Sequence, residues 1–115
     1  MIVGDATTRA LHAALGGLNA RRQAAEDNIA NVETPGYHAK VVDFEDSLRS
    51  AIGRGEPGDM ATSVTRSLAP TRMNGNNVAV DEEMVGLTET ALRHQLVVEA
   101  MNGKFRLLRT SIQGQ

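Results

Sequence analysis

Histidine and carboxylate side chains are the groups in this sequence that could bind a metal or transfer protons. The three histidines, His12, His38 and His94, lie far apart in the chain and show no ligand spacing such as H-E-x-x-H. The acidic run at 81–83 lacks the alternating ligands and central glycine of a calcium loop. It is better interpreted as the start of a helix, where the backbone dipole favours negative charge. The sequence therefore predicts no metal site and no cofactor.

A glycine-rich segment at 53–58 has the sequence GRGEPG, which matches the phosphate-binding pattern G-x-G-x-x-G. That pattern binds pyrophosphate only between a strand and a helix N-terminus. Here the flanking segments suggest a short helix and a loop, and Pro57 removes one backbone N–H. No serine or threonine lies in a nucleophile turn, and the chain has no cysteine. We therefore predict neither an enzyme nor a small-molecule substrate.

Length and charge narrow the class of protein further. The 115 residues suffice for one domain, and the net charge of −2 does not favour binding to nucleic acid. No apolar run is long enough to cross a membrane, and the first residues do not resemble a cleavable secretory signal. Hydrophobic residues make up 41% of the chain but aromatic residues only 3%, which favours thin helical seams over a thick core.

The opening segment, residues 5–33, predicts a long helix. Its larger apolar residues recur with heptad spacing, interrupted by Arg22. Asp5 or Thr7 can cap the start of this helix, and the Gly-Gly pair at 16–17 indicates a bend or a close approach of another segment. The predicted seam residues are Leu11, Leu15, Leu18, Ala25, Ile29 and Val32.

The closing segment, residues 81–113, predicts a second long helix with its own seam, in which His94 is the polar member. The seam residues are Met84, Leu87, Ala91, Val98, Met101, Phe105, Leu108 and Ile112. A second group of apolar residues forms an outer flank that one partner helix cannot also cover: Val85, Leu92, Leu96, Val97 and Leu107. In an antiparallel hairpin Arg22 would lie near His94, and we expect a contact between Arg22 and Glu99. The two polar residues either lie at the rim of the seam or fix its register.

The segments between the two helices predict less regular structure. Residues 34–42 form a turn and an extended segment, and residues 43–52 form a short helix capped by Asp43, with Phe44, Leu48 and Ile52 on one face. Residues 53–80 are expected to be a flexible loop, in which 63–68 could form a brief strand. The predicted fold is all-α, a single coiled-coil domain of two antiparallel terminal helices whose bare apolar flank is covered by neighbouring molecules.

The sequence NIANVETPGY at 28–37 resembles the signature that ends the N-terminal helix in axial proteins of the bacterial flagellum. The motif residues are Asn28, Ile29, Ala30, Asn31, Thr34, Pro35, Gly36 and Tyr37. The following VVDF at 41–44, which includes Phe44, and the GNNV at 75–78 are similar to the FlgB family of proximal rod proteins. The FlgC-like short rod proteins are the nearest alternative, and the HAKVVDF at 38–44 favours FlgB.

This resemblance implies a structural subunit of the basal-body proximal rod, which polymerises through its terminal helices to build the torque-transmitting drive shaft. It implies export through the flagellar type III apparatus without a cleaved signal, and a location in the periplasm. The implied partners are other copies of the chain, other rod proteins, the rod-base adaptor protein and the export gate. A helical adaptor or export chaperone, which would also contain heptads, is the alternative from another class.

The motif residues have two physical interpretations. The side chains of Asn28 and Asn31 can satisfy helix-end carbonyls or bridge to a neighbour, and Ala30 keeps the surface thin. The sequence TPG at 34–36 suits a type II turn, and Tyr37 is a residue type enriched at interfaces. The block is either only a helix stop or also a contact between subunits, and the resemblance favours the contact.

Overall fold

The computed structural model describes residues 5–113 and begins with a long helix, α1, at Ala6–Ala30. Asp5 caps this helix, as predicted, because its Oδ1 accepts a 2.9 Å hydrogen bond from the Thr8 backbone N–H. The helix ends at Ala30 rather than at residue 33. The Asn31 backbone N–H is shared between the carbonyls of Asp27 and Asn28, and the Val32 N–H then bonds to Ile29, three residues back instead of four, so the α-helical pattern stops there.

The middle of the chain contains a small sheet, which corrects the all-α prediction. Strand β1, Lys40–Asp43, pairs antiparallel with strand β2, Ser63–Arg66, so that Lys40 lies opposite Arg66. Both strands have valine or threonine at their two central positions, and β-branched side chains favour extended backbone. Strands of four residues are too short to show a clear alternation in sequence, which is why the terminal heptads dominated the prediction.

A short helix, α2, at Glu45–Gly53 and a 3-10 turn at Pro57–Asp59 lie between the strands. The segment 53–80 is therefore not a structureless loop, because it contains this turn and all of β2. The predicted cap was also wrong, since Asp43 ends β1 and Phe44 occupies the N-cap position with no side-chain hydrogen bond. On α2 it is Ala51 that is fully buried, whereas Ile52 is exposed because it lies one position further round the helix.

The last helix, α3, runs from Val80 to Gln113 and packs against α1 in the opposite direction. Lys104 Nζ lies 2.8 Å from Asp5 Oδ2 at the start of α1, whereas Thr90 lines a cavity with Leu18, halfway along α1. The 34 residues of α3 extend for about 51 Å, which is longer than α1. Within residues 5–113, no helix is both long and apolar enough to cross a bilayer.

The core lies where α1, β1 and the start of α2 meet. Leu18, Ala24, Val42 and Phe44 form its buried cluster, and Val97 of α3 packs against it. The molecule measures 67 × 26 × 14 Å, so few side chains can be enclosed on all sides. Most of α3 consequently touches the rest of the chain on one face only, and its only buried residue is Thr90.

Candidate functional site: the turn after the first helix

The sequence block at 28–37 forms the end of α1 and a tight turn. The Tyr37 backbone N–H donates to the Thr34 carbonyl at 3.3 Å, which closes a four-residue turn around Pro35 and Gly36. Gly36 has φ of +74°, the left-handed conformation that a type II turn requires at this position. The geometry thus agrees with the turn expected from the Pro-Gly pair.

Asn28 joins the end of α1 to the start of β1. Its side chain is 1% exposed, its Nδ2 donates to the Lys40 carbonyl at 3.0 Å, and its Oδ1 accepts from the Lys40 backbone N–H at 2.8 Å. The Tyr37 hydroxyl donates to the same Oδ1 at 3.2 Å. The amide therefore does for Lys40 what the peptide group of a neighbouring strand would do, and it satisfies both backbone groups.

Asn31 satisfies the carbonyl end of α1. Its Nδ2 donates to the Asp27 carbonyl at 2.8 Å, and its Oδ1 accepts a 3.0 Å hydrogen bond from the Thr34 hydroxyl. The Asp27 carbonyl also accepts from the Asn31 backbone N–H, so the side-chain bond gives it a second partner at the helix end. The polar atoms of Asn28 and Asn31 are thus used inside the molecule, which agrees with the helix-stop interpretation.

Asn76, which the sequence analysis did not single out, is the most enclosed polar residue of this site, with 0% exposure. Its Nδ2 donates to the carbonyls of Asn31 and Thr34, both at 2.8 Å. Asn76 therefore fixes the start of the turn at 34–37. Its Oδ1 accepts from the Val78 backbone N–H at 2.8 Å and from Arg72 at 2.9 Å. The sequence feature that could have indicated Asn76 is the GNNV at 75–78, which the sequence analysis used only as part of the family resemblance.

Arg72 links three separate segments at the same place. Its Nη2 donates to the Val32 carbonyl after α1, and its Nη1 donates to the Val78 carbonyl before α3, each at 2.7 Å. The Gly36 backbone N–H also donates to the Asn74 carbonyl at 2.8 Å. A Cβ at Gly75 would lie 3.2 Å from the Gly36 Cα, so the two glycine turns are in close contact. The site therefore fixes the end of α1 to the start of α3.

Asn77 extends this network to the sheet. Its Oδ1 accepts a 2.7 Å hydrogen bond from the Ala39 backbone N–H, and its Nδ2 donates to the Ser67 and Ala69 carbonyls, both at 3.1 Å. Among the described residues, no buried side-chain nitrogen or oxygen lacks a hydrogen-bond partner. The loop between β2 and α3 is therefore held in place by side-chain amides rather than by regular secondary structure.

A second cluster joins α1, α2 and α3 around Phe44. The Phe44 ring lies directly on Gly17, where a Cβ would come within 2.4 Å of the ring carbons, so the glycine serves a close approach. The Arg21 guanidinium lies 4.8 Å from the ring centroid. Its Nη1 and Nη2 donate to the two carboxylate oxygens of Glu45, at 2.5 and 2.7 Å. Arg93 of α3 approaches the same carboxylate at 3.6 Å.

Ion pairing lowers the pKa of two carboxyl groups among the described residues. The hydrogen bonds from Arg21 lower the pKa of Glu45 to about 2, against a smaller opposing effect of burial. Glu45 in turn raises the pKa of Arg21. The hydrogen bond from Lys104 likewise lowers the pKa of Asp5 to about 2, which keeps the start of α1 paired with α3. Both carboxylates are therefore charged throughout the neutral pH range.

The predicted seam is only partly enclosed. The six predicted seam residues of the opening segment are buried or half buried, although Val32 lies in the turn after α1, and so are Leu87, Val98, Met101 and Leu108 on α3. The remaining α3 seam residues are exposed: Met84, Ala91, Phe105 and Ile112. On a straight helix, residues with a strict seven-residue repeat rotate by about 20° per heptad around the helix axis. One such row therefore cannot stay on the face toward α1 over the whole length of α3. Thr90, His94 and Val97 also lie on that face.

The expected contact between Arg22 and Glu99 was wrong. Arg22 pairs with Glu26 on its own helix at 3.6 Å, and Glu99 is exposed. His94 does lie near Arg22, since both line a cavity of about 280 Å³ between α1 and α3. The seam at this level is therefore incompletely filled, and Arg22 remains half exposed at its rim.

The outer flank of α3 is bare except at one position. Val97, predicted to belong to it, is half buried because it faces the Phe44 cluster. The other four residues form a stripe on the opposite side of the helix, 58% to 71% exposed: Val85, Leu92, Leu96 and Leu107. Together with Gly103 they recur at intervals of seven, four, seven and four residues, which is the spacing of a helix-packing seam.

The described residues contain no group of three or more His, Asp or Glu side chains that could hold a metal ion. The glycine-rich segment at 53–58 contributes to the end of α2 and the 3-10 turn, so it does not lie between a strand and a helix N-terminus.

Comparison with curated proteins reveals relatives of nearly the same length. The chain is 34% identical to the flagellar basal body rod protein FlgB of Bacillus subtilis, over 99% of this chain and 98% of the relative. It is 25% identical to FlgB of Escherichia coli over 95% of the chain and 94% of the relative. FlgB of Cereibacter sphaeroides is 28% identical over 83% of the chain and 84% of the relative. No protein-family model matches the chain. The likeness to the Bacillus relative extends over both terminal helices and the turn between them, and on this evidence the chain belongs to the FlgB family of flagellar basal-body rod proteins.

Proposed function

We propose that this chain, a structural subunit of the flagellar basal-body rod, joins the proximal rod through its terminal helices and helps to transmit torque. In this proposal α1 and α3 act as an antiparallel coiled coil that is completed by other copies and by other rod proteins. The relatives named FlgB favour a rod subunit over an FlgC-like protein and over an adaptor or export chaperone. The chain then has no catalytic activity of its own.

The observation that carries this proposal is the bare apolar stripe along α3. Val85, Leu92, Leu96 and Leu107 span about 33 Å of helix and are exposed to solvent. Leu107, at the end of the stripe, also lines a groove with Leu11 of α1. Burying a large aliphatic side chain stabilises by about 1.5–3 kcal/mol, so covering the stripe is a strong driving force for association. Its heptad-like spacing suits a neighbouring helix rather than a small ligand.

The family also suggests where and how the chain is used. We propose export through the flagellar type III apparatus without a cleaved signal, and a position in the periplasmic part of the rod. The rod-base adaptor protein and the export gate are the proposed partners at its lower end. The exposed turn residues Thr34, Pro35 and Gly36, and the partly exposed ring of Tyr37, provide a surface for a contact between subunits beside the internal network.

The test is complementation of a strain that lacks the gene. We expect the double variant Leu92→Asp/Leu96→Asp to abolish swimming and the assembly of basal bodies, because two carboxylates in the stripe oppose burial. The matched control is Gln95→Asp/Asn102→Asp, which adds the same two charges to exposed polar positions on another side of α3. The control should swim like the wild type.

Circular dichroism of both purified double variants checks that they retain the helical content of the wild type. Equal swimming of the two variants would refute assembly through the stripe. A wild-type chain that restores swimming without being recovered in purified basal bodies would refute the rod assignment itself.

A further inference from the structure

Two asparagines of this chain, Asn74 and Asn102, are each followed by a glycine. The side-chain Cγ of an asparagine can be attacked by the backbone nitrogen of the next residue. A glycine at that next position leaves the approach unhindered, because it has no Cβ. Every other asparagine of the chain precedes a residue with a Cβ. The sequence therefore contains two positions that favour this intramolecular reaction.

The reaction, which is deamidation, consumes water and releases ammonia. At the first position the Gly75 nitrogen forms a bond to the Asn74 Cγ, and the Cγ–Nδ2 bond breaks. Nδ2 leaves as ammonia with the proton that the Gly75 nitrogen gives up, and a cyclic imide remains. Water then opens the imide. Cleavage of the new bond gives aspartate, whereas cleavage of the original peptide bond leaves Gly75 attached to Cγ and gives isoaspartate.

The folded structure fixes both reacting groups of the first pair. The Gly75 N–H donates to the Arg72 carbonyl at 2.9 Å, and the carbonyl of Asn74, in the same peptide group, accepts from the Gly36 N–H at 2.8 Å. The Asn74 Oδ1 accepts from the Asn76 N–H at 3.1 Å. Because the Gly75 nitrogen must give up its proton and turn toward Cγ, the reaction requires that these hydrogen bonds open.

The second pair is protected in a different way. Asn102 is exposed and lies within α3. In a helix the backbone N–H of the next residue, here Gly103, donates to the carbonyl four residues before it, so the helix itself holds the attacking nitrogen. Local opening of the joint between the turns at 34–37 and 72–75 would therefore release Asn74 and leave Asn102 protected.

We propose that Asn74 is a site of spontaneous deamidation, which the hydrogen bonds of this joint suppress in the folded chain. The inference goes beyond the proposed function and does not depend on it. Three hydrogen bonds must open together before the Gly75 nitrogen is released. Asn74 should therefore react about a hundredfold more slowly in the folded chain than in the unfolded chain.

Conversion to isoaspartate destroys the joint that protects the residue. The carbonyl that accepts from Gly36 becomes part of a free carboxylate beside the main chain, and the main chain gains one carbon at position 74. The two turns have no room for it, since even a Cβ at Gly75 would lie 3.2 Å from the Gly36 Cα. A chain that stays unfolded for long thus loses the link between the end of α1 and the start of α3, whereas a chain that folds promptly keeps it.

The experiment ages the purified full chain in mildly alkaline buffer, with and without concentrated urea, and follows each asparagine by peptide mass spectrometry. Deamidation exchanges NH2 for OH and raises the peptide mass, and electron-transfer fragmentation distinguishes isoaspartate from aspartate. In urea, Asn74 and Asn102 should convert at similar rates. In buffer both should be slow. Conversion of Asn74 as fast in buffer as in urea would overturn the inference.

The variant Asn76→Ala tests the cause, because it removes the amide that binds the Asn31 and Thr34 carbonyls. In buffer it should speed the conversion of Asn74 by about thirtyfold and leave Asn102, the internal control, at its wild-type rate. If this variant loses its helical circular dichroism, Arg72→Lys replaces it, since a lysine keeps the charge without the fork of donors. A folded variant that speeds both sites equally, or neither, would contradict protection by the joint.

A last measurement concerns the product. Asn74→Asp keeps the main chain and an oxygen for the Asn76 N–H, so its thermal unfolding midpoint should match that of the wild type. Chains aged in urea, enriched in isoaspartate and refolded should melt at a lower temperature. An isoaspartate form that melts together with the wild type would show that the joint tolerates the modification, against the inference.

Discussion

The adjacent glycines of α1 offer a direct test of the packing described above, because the same substitution should have opposite effects at the two positions. Alanine is favoured over glycine inside a helix by about 1 kcal/mol. Gly16 is exposed, and a Cβ there would meet no atom within 4 Å, so Gly16→Ala should stabilise the chain by about that amount. Gly17→Ala gains the same helix propensity, but its Cβ would lie 2.4 to 2.6 Å from three carbons of the Phe44 ring.

The contact at Gly17 outweighs the gain in helix propensity. The Phe44 ring is buried at 4% exposure and cannot swing into solvent without leaving the core cluster. Forcing an extra carbon into a packed core costs about 1–3 kcal/mol. The overlap with three ring carbons, which also moves the ring away from Arg21, places this case in the upper part of that range, at about 2–3 kcal/mol. We therefore expect Gly17→Ala to destabilise the chain by about 1–2 kcal/mol net. The two alanine variants should differ by about 2–3 kcal/mol.

Thermal unfolding followed by far-ultraviolet circular dichroism measures this difference. At about 4 °C per kcal/mol for a chain of this size, the midpoints of the two variants should lie about 10 °C apart. Adding Phe44→Leu to each variant tests the cause, because the smaller side chain should remove most of the penalty at position 17 and leave position 16 unaffected. A Gly17→Ala chain that melts as high as Gly16→Ala would refute the packing of Phe44 on Gly17.

Further predictions concern the hydrogen-bond network and the ion pairs. Asn76→Ala should lower the free energy of unfolding by about 2–4 kcal/mol in urea titrations, because the buried Val78 N–H loses its partner and the Asn31 and Thr34 carbonyls each lose one of two, whereas Asn102→Ala at an exposed position should have little effect. Tyr37→Phe should cost only about 0.5–1.5 kcal/mol, since Asn28 Oδ1 keeps its bond from Lys40; a larger loss in the same titration would indicate a wider role for the hydroxyl. Glu45 has its pKa lowered from 4.5 to about 2, so the stability that it contributes is present above pH 4.5 and is lost as the pH falls toward 2. Melting curves between pH 5 and 2 should therefore fall more steeply for the wild type than for Glu45→Gln, and identical slopes would contradict the role of the Arg21 pair.

The sequence predicted the long elements well because their signals are local and repeated. The apolar periodicity and the charged start of α3 indicated a helix over 81–113, and the helix spans Val80–Gln113. The cap at Asp5 and the turn at Pro35-Gly36 follow from the intrinsic preferences of those residue types. The two short strands carry no comparable repeat. The possible strand at 63–68 matches β2, but the strand at 40–43 was not predicted and no sheet entered the fold class.

The hydrogen-bond network around residues 28–37 could be predicted from the sequence only in part. The types of Asn28 and Asn31 indicated that they would satisfy backbone groups near the helix end, but their partners could not be named from sequence. Asn76 lies 45 residues from Asn31, and nothing in its immediate neighbours marks it as buried. The Arg22–Glu99 expectation failed for the same reason, because the rotation of one helix against the other is set by packing and not by heptad count.

By itself the sequence determined the two amphipathic helices, the stop between them and the family resemblance, because each depends on residue types within a few positions of one another. Tertiary structure alone decided which α3 residues face α1, which asparagines are enclosed, and that Phe44 lies on Gly17. Those outcomes depend on how distant segments share a small core, where one hydrogen-bonded amide or one missing Cβ sets the distance between elements. The bare stripe of α3 combines both levels, because the sequence supplies its apolar residues and the thin fold leaves them uncovered.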